Sequence, residues 1–353
     1  MKVLHLNLQI TWGGGENQSL LLMRALAGHG VRNHLLCRPG GVLERRLREA
    51  LPDAVVHHLP ASLWLLLTLR RHTARLQAEL GFDVIHSHTG REMRGLGAVT
   101  DAVTVAHRRV PDPVSRAALR GYSGVQGVIA VSAEIARRLA GQGLKGPEVR
   151  VIHSAVDTEE AASGREDLPG QPAFLYLGRL LRHKGLDGLL RAHVQLLTRV
   201  PGAVLHLVGE GPDEQRLKSL AGKLLPASAV VFHGFRTNPR DFIAGAHALI
   251  LASRDEGLGT VVLQAQFQAC PAVVSDAGGL PETIRDGVTG LLVPAGDVPA
   301  LAAALERLAL EPGLRERLAA AGPEHIRQHF SLAALGQQTL DFYRELHARL
   351  PGR

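Results

Sequence analysis

The sequence predicts an α/β chain of two doubly wound domains, each a parallel sheet covered by helices on both faces. Three observations carry this. Apolar runs of strand length alternate with stretches of helical period along nearly all of the 353 residues, and such alternation makes a parallel sheet with crossover helices. The length suits two domains of roughly 100–200 residues each. A polar stretch without period, DTEEAASGREDLPGQP from Asp157 to Pro172, separates two βα series.

KVLHLNL (Lys2–Leu8) reads as the first strand, followed by an amphipathic helix from Asn17 to Ala27 that ends near Gly28–Gly30. DVIHSH (Asp83–His88), AVTVAH (Ala102–His107), GVIAVS (Gly127–Ser132) and VRVIHS (Val149–Ser154) are further strands. Helical segments at Glu44–Leu51, Trp64–Leu80 and Ala133–Ala140 lie between them. The second series holds AFLYLG (Ala173–Gly178), VLHLVG (Val204–Gly209), VVFHGF (Val230–Phe235), ALILAS (Ala248–Ser253), AVVSD (Ala272–Asp276) and GLLV (Gly290–Val293). From Pro299 to Leu350 the tail is almost entirely helical. The expected division is 1–165, 166–330 and a last helix within 331–353, with a ligand cleft at the carboxyl ends of the strands. No internal repeat suggests a solenoid.

Composition narrows the class. With 45% hydrophobic and 21% charged residues, wholesale disorder is excluded. Two cysteines, Cys37 and Cys270, form no disulfide framework and suit a reducing cytosol. The opening stretch lacks the features of a signal peptide. The longest near-apolar run, Ala61–Leu69, is about half of what a membrane span needs, so no transmembrane helix is expected. The net charge of +7 is unevenly placed: through Arg165 there are 21 Lys/Arg against 14 Asp/Glu, and 19 of each thereafter. A one-sided basic domain points to an acidic partner such as anionic lipid, a polyanionic glycan, a phosphorylated substrate or nucleic acid; a GC-rich coding bias toward Arg is the plain alternative. No nucleic-acid module is recognisable.

Several turns carry chemistry. Gly13-Gly14-Gly15-Glu16 lies between the first strand and its helix, where backbone amides and the helix N-terminus can meet an anion. It is not GxGxxG, so a dinucleotide fingerprint is unsupported. In GRLLRHKG (Gly178–Gly185), Arg179 and Lys184 flank a short loop and set two cations where a pyrophosphate could sit. VGEGPDEQRL (Val208–Leu217) repeats the strand–turn–helix pattern. SRDEGLGTVVLQAQ (Ser253–Gln266) places Glu256 at a strand end, a glycine loop after it, and Gln264 within the next helix. AGGLPETI (Ala277–Ile284) is another glycine-rich turn.

Together GRL…HKG, VGEGP, HGF, EGLG…Q and SDAGGLPETIRDGVTGLLVPAGD resemble the nucleotide-sugar domain of the GT-B glycosyltransferases of family 4. The likeness continues upstream through GGGEN, DVIHSH, AVSAEIARRL and VIHSAVD. The resemblance implies a GT-B fold: two Rossmann-like domains facing a cleft, with the last helix crossing back to the first domain. It also implies that Arg179 and Lys184 hold the donor diphosphate and that Glu256, first of an E-x7-E pair, approaches the transferred sugar. The second position, for the ribose, is Gln264 here, a departure that replaces a carboxylate by an amide with one acceptor and two donors. Gly257, Leu258 and Gly259 would meet sugar and diphosphate, Phe235 and Arg236 would flank the base, and Gly14 and Gly15 would complete the phosphate site on closure. A histidine of the first domain near the donor sugar is His107, with His86 and His88 as alternatives; Arg108-Arg109 would face an anionic acceptor.

The implied activity is a retaining, metal-independent hexosyl transfer from a nucleotide-diphosphate sugar, with no cofactor, onto a lipopolysaccharide, other surface glycan or lipid-linked acceptor. The expected location is cytoplasmic, with a peripheral position at the inner membrane face. Asp-x-Asp is absent from the chain. The pairs His86/His88 and His325/His329 have metal-compatible spacing without a completing ligand set. WLLLTLRRHTAR (Trp64–Arg75) has an apolar face and arginines that would suit either an anionic membrane or a buried docking helix. Competing readings are a GT-B epimerase or hydrolase of nucleotide sugars, and a catalytically silent binding protein.

Overall fold

The computed structural model describes residues 1–59, 65–90, 92–96, 99, 101–159 and 162–350. Two compact units divide the chain, one formed by Met1–Ala155 with the segment from Ser331 onward, the other by Val156–Phe330.

In chain order the first unit contains β1 (Lys2–Leu6), α1 (Gly14–Ala27), β2 (Arg32–Cys37), α2 (Val42–Ala50), β3 (Val55–His58) and α3 (Leu65–Leu80). These are followed by β4 (Val84–Ser87), β5 (Val103–Arg108), α4 (Arg116–Ser123), β6 (Gly127–Ala130), α5 (Ala133–Gly141) and β7 (Glu148–Val151). Its strands form one parallel sheet in the order β3-β2-β1-β4-β5-β6-β7. Strands β1, β4, β5 and β6 are buried almost throughout, as a parallel sheet covered on both faces demands. Strands β2 and β3 were not among the expected ones. Their RNHLLC and VVHH segments carry histidines that dilute the apolar run. Helix α1 begins at Gly14, three residues earlier than Asn17, so Gly14 and Gly15 lie in its first turn.

The second unit contains β8 (Ala173–Leu177), α6 (Leu186–Leu197), β9 (Val204–Val208), α7 (Glu214–Leu224), β10 (Val230–Gly234) and α8 (Pro239–Gly245). Then come β11 (Ala248–Leu251), α9 (Thr260–Phe267), β12 (Ala272–Ser275), β13 (Gly290–Val293), α10 (Val298–Leu310) and α11 (Leu314–His329). Its parallel sheet runs β10-β9-β8-β11-β12-β13, and one continuous core fills it. The polar stretch read as a linker is not a free tether. Gly164 and Glu166 donate their backbone N–H groups to Asp241 of α8 at 2.8 and 2.9 Å, and the unit boundary falls before the stretch, at Ala155–Val156. Glu160 and Ala161 within it lie outside the described residues, as do Ala61–Trp64 of the near-apolar run and its helix.

The last helix, α12 (Leu332–His347), is capped by the Ser331 hydroxyl accepting from Ala334 N at 3.3 Å. Its apolar face (Leu335, Leu340, Phe342, Tyr343, Leu346) joins Val3, Val84, Val105 and Ile129 in the core of the first unit. Each such side chain contributes about 1.5–3 kcal/mol on burial. Among the described residues no helix is long and apolar enough to cross a membrane.

Candidate active site

All six strands of the second sheet point the same way, so the turns after them share one edge. The strand order reverses between β8 and β11, the point where open α/β sheets place their ligands. Two loops meet there. After β8, Arg179 is exposed, Leu180 is buried, and a short 3-10 turn at Arg182–Lys184 leads into Gly185 at φ +68°. A Cβ on Gly185 would stand 2.0 Å from the Ala252 carbonyl oxygen; only glycine lets this loop lie against the end of β11. The contact is tied by Arg254 N donating to the His183 carbonyl at 2.7 Å.

After β11 the chain presents Glu256. Lys184 Nζ donates to Glu256 Oε2 at 2.5 Å, with both side chains mostly buried. Ser253 Oγ approaches the same oxygen at 3.4 Å. The Glu256 backbone is fixed from the far side: Gly279 N donates to its carbonyl at 2.9 Å, and Gly278, at φ +59°, leaves 2.1 Å between that oxygen and a hypothetical Cβ. Leu258 is buried and anchors the loop, while Gly259 caps α9 from the left-handed region without a side-chain bond. The amides of that first turn therefore have no side-chain cap. One turn into α9, Gln264 donates to Gln268 Oε1 at 3.4 Å.

Phe235 and Arg236 follow β10, two strands from β8. Phe235 is 65% exposed, its N–H directed to Glu210 Oε1 at 3.3 Å, and Arg236 donates to the Phe235 carbonyl at 3.2 Å. The second unit thus brings Lys184, Glu256 and Gly257–Gly259 together, sets Arg179 on the same edge, and holds Phe235 and Arg236 about 10 Å along it by strand spacing. A cavity of 190 Å³ lies beside this edge, lined by Gly185, Asp187, Arg191, Arg254 and Asp297; it does not include the Lys184–Glu256 pair, and Arg254 is already paired with Asp187 at 3.1 Å.

Gly14, Gly15 and His107 belong to the first unit, whose sheet reverses between β1 and β4. A Cβ at Gly14 or Gly15 would meet nothing within 4 Å, so packing does not require glycine at either. Glu92, absent from the sequence reading, clamps the two turns: its buried carboxylate accepts from Leu8 N at 2.9 Å, Thr89 N at 2.8 Å and Thr89 Oγ1 at 2.6 Å. Burial raises its pKa.

Beside the clamp lie His5, His86, His88 and His107, all buried. The register pairs His5 with His86, and side-chain alternation puts all four rings on one face of the sheet. Ring nitrogens of His5, His86 and His88 lie within 4.8 Å of one another, a closeness that spacing of His86 and His88 alone could not reveal. Arg109, half-buried as a residue, sends its guanidinium in among them. It donates to the His88 carbonyl at 3.0 Å, His88 Nδ1 at 3.1 Å and His107 Nδ1 at 3.2 Å. The Arg109 guanidinium thus turns toward the histidines, and Arg108 donates to the Asp112 carbonyl. Desolvation lowers all four histidine pKa values, that of His5 to about 4, and lowers Arg109 to about 10. A fixed cation amid these rings opposes a dication there.

The comparisons with known proteins follow the same division. Residues 12–160 match the family model for Glycosyltransferase Family 4, and residues 158–325 match that for Glycosyl transferases group 1. Two Rhizobium meliloti proteins align over almost their full lengths. The lipopolysaccharide core biosynthesis glycosyltransferase LpsD is 31% identical, covering 97% of this chain and 98% of its own; LpsE is 30% identical, covering 99% and 100%. Among solved structures, Anabaena Alr3699/HepE in complex with UDP and glucose superposes with a TM-score of 0.82 at 20% identity, over 98% of this chain and all of that one. The two Rossmann-like units are those of the GT-B fold, and the chain belongs to the group 1, family 4 glycosyltransferases.

Proposed function

We propose that the chain moves a hexose from a nucleotide-diphosphate sugar to a hydroxyl of a lipopolysaccharide core or related lipid-linked glycan, with retention of configuration and no metal. The observation that carries this reading is the Lys184–Glu256 pair at the sheet reversal, with Arg179 on the same edge. Without a donor each group satisfies the other; a diphosphate would give Lys184 a second anionic partner. Breaking the anomeric C–O bond leaves a nucleoside diphosphate whose charge grows in the transition state. The Lys184 ammonium, the Arg179 guanidinium and the open amides of α9 would stabilise that charge in place. Glu256 would orient the sugar, Gln264 would bind the ribose through its amide, and the exposed Phe235 with Arg236 would flank the base. The acceptor hydroxyl would attack from the face the leaving group departs, which takes up its proton, so that positioning carries much of the rate.

The first unit is the acceptor-binding one in this reading, with His107 meeting the donor sugar, Gly14 and Gly15 adding amides for phosphate, and its basic surface suited to an anionic membrane at the inner face. Support for the acceptor class comes from LpsD and LpsE, both lipopolysaccharide core biosynthesis glycosyltransferases. The test is binding and transfer across UDP-, GDP- and ADP-sugars. Lys184→Ala should weaken binding of the active donor by roughly tenfold or more, and Gln264→Glu should strengthen it. No binding of any donor sinks the proposal.

A further inference from the structure

The hydrogen bonds around Arg109 leave only one consistent assignment of protons. A guanidinium has five N–H donors and no acceptor. The Nδ1 atoms of His88 and His107 that it reaches at 3.1 and 3.2 Å must therefore offer lone pairs, and each neutral ring carries its proton on Nε2. His88 Nε2–H then donates to His5 Nδ1 at 2.9 Å, which leaves His5 to donate from Nε2 to Asn33 Oδ1 at 3.0 Å. The Asn33 amide closes the chain by donating from Nδ2 to the Met23 and Val31 carbonyls at 3.0 and 3.3 Å. Arg109 Nε is buried without a partner among the described residues, while from the terminal nitrogens of Arg109 through two imidazoles to the backbone each bond pairs a donor with an acceptor.

His107 stands on the other side of Arg109 and does not share that fate. Its Nε2 is buried without a hydrogen-bond partner among the described residues, an omission that costs roughly 1–3 kcal/mol unless something else accepts. We propose that Arg109 is a positioning residue that locks His107 as its Nε2–H tautomer, so that His107 offers a substrate oxygen a hydrogen-bond donor and no proton-accepting nitrogen. The Asn33–His5–His88 relay holds His88 in turn, and with it one of the acceptors that fix the guanidinium. The substrate atom is a hydroxyl or phosphate oxygen. This rests on the reading of His107 as a substrate-facing group; the tautomer itself does not.

The deciding measurement is a two-bond ¹H–¹⁵N correlation spectrum of the imidazoles in the full ¹⁵N-labelled chain, with His107 assigned by its loss in His107→Phe. Protonated Nε2 and lone-pair Nδ1 in His88 and His107 at neutral pH are expected. A protonated Nδ1 on His107 overturns the proposal, and needs no variant to be seen. Arg109→Met should mix the His107 tautomers and lower kcat for the active donor roughly tenfold to a hundredfold, with KM changing far less; Arg109→Lys should restore part of both. An Arg109→Met enzyme with the original tautomer and rate also overturns it. The expected tautomers in a chain that transfers no sugar would sink the functional reading while leaving the relay standing.

Discussion

At the scale of single residues, the edge that carries Lys184 and Glu256 depends on positions where a methyl group has no room. Gly278 leaves 2.1 Å for a Cβ against the Glu256 carbonyl, at a φ of +59°. Gly278→Ala should push the Glu256 loop away from Lys184 and destabilise the fold by about 1–3 kcal/mol. Chemical denaturation together with donor titration checks this, and unchanged values for both would refute it. The histidine cluster makes a second claim. Rings held neutral in the fold titrate in the unfolded chain near 6.5, so the unfolded state binds more protons once pH falls below that value. Their stabilisation is complete above about pH 6.5 and fades toward pH 4, the value to which burial takes His5. His5 alone should lose about 2 kcal/mol by pH 5; Glu92, with its raised pKa, offsets part of the cluster's loss. Denaturation midpoints at pH 7.5 and 5 measure the sum, and equal midpoints would contradict it. Legibility in the sequence follows chain separation. Arg179, Lys184 and Glu256 sit in local turn motifs and could be read directly. His5, Asn33, His88, Arg109 and Tyr343 become neighbours only through the sheet order and α12, so although His88 and Arg109 stood out singly, nothing in their own segments announced the cluster.

At the scale of elements, apolar runs with turn signals revealed most strands, while β2 and β3 escaped because Asn33, His34, His57 and His58 interrupt them. The Gly/Pro-rich stretch after Asp157 has the composition of a tether, yet its backbone amides find acceptors on α8, which no composition argument foresees. Helix α12 shows the reverse case, a strongly periodic segment whose partner lies far away in sequence. A Cβ on Gly127 of β6 would meet Leu346 Cδ1 at 2.5 Å and Phe342 Cζ at 2.8 Å, and one on Gly336 would meet the Ala25 carbonyl oxygen at 2.8 Å. The helix is seated directly on backbone. Tyr343 extends this contact to the cluster by hydrogen-bonding His86 Nδ1. Phe342→Ala should cost about 3–5 kcal/mol, and a chain ending at Phe330 should bind a hydrophobic dye and lose its cooperative melt. A cooperative melt at the full-length temperature would show that α12 is dispensable.

At the scale of the whole molecule, the compact units sharpen the charge asymmetry. Met1–Ala155 with the segment from Ser331 holds 23 Lys/Arg against 13 Asp/Glu, whereas Val156–Phe330 holds 17 against 20. The proposed donor edge therefore relies on a few placed cations within an acidic unit, and the basic surplus belongs wholly to the other. Retention on anionic vesicles should exceed that on neutral ones at about 0.1 M salt and vanish near 1 M, where the screening length shrinks from roughly 10 to 3 Å. Equal retention on both vesicle types would remove the membrane role. The division at Ala155–Val156 and Phe330–Ser331 has a consequence for biosynthesis. Most of the first unit is synthesised before the second, yet it is completed after it, because α12 leaves the ribosome only after the whole of the second unit. At 5–20 residues per second the nascent sheet waits on the order of ten to thirty-five seconds for its covering helix. During that interval the face formed by Val105 and Ile129 is a natural place for a chaperone to hold.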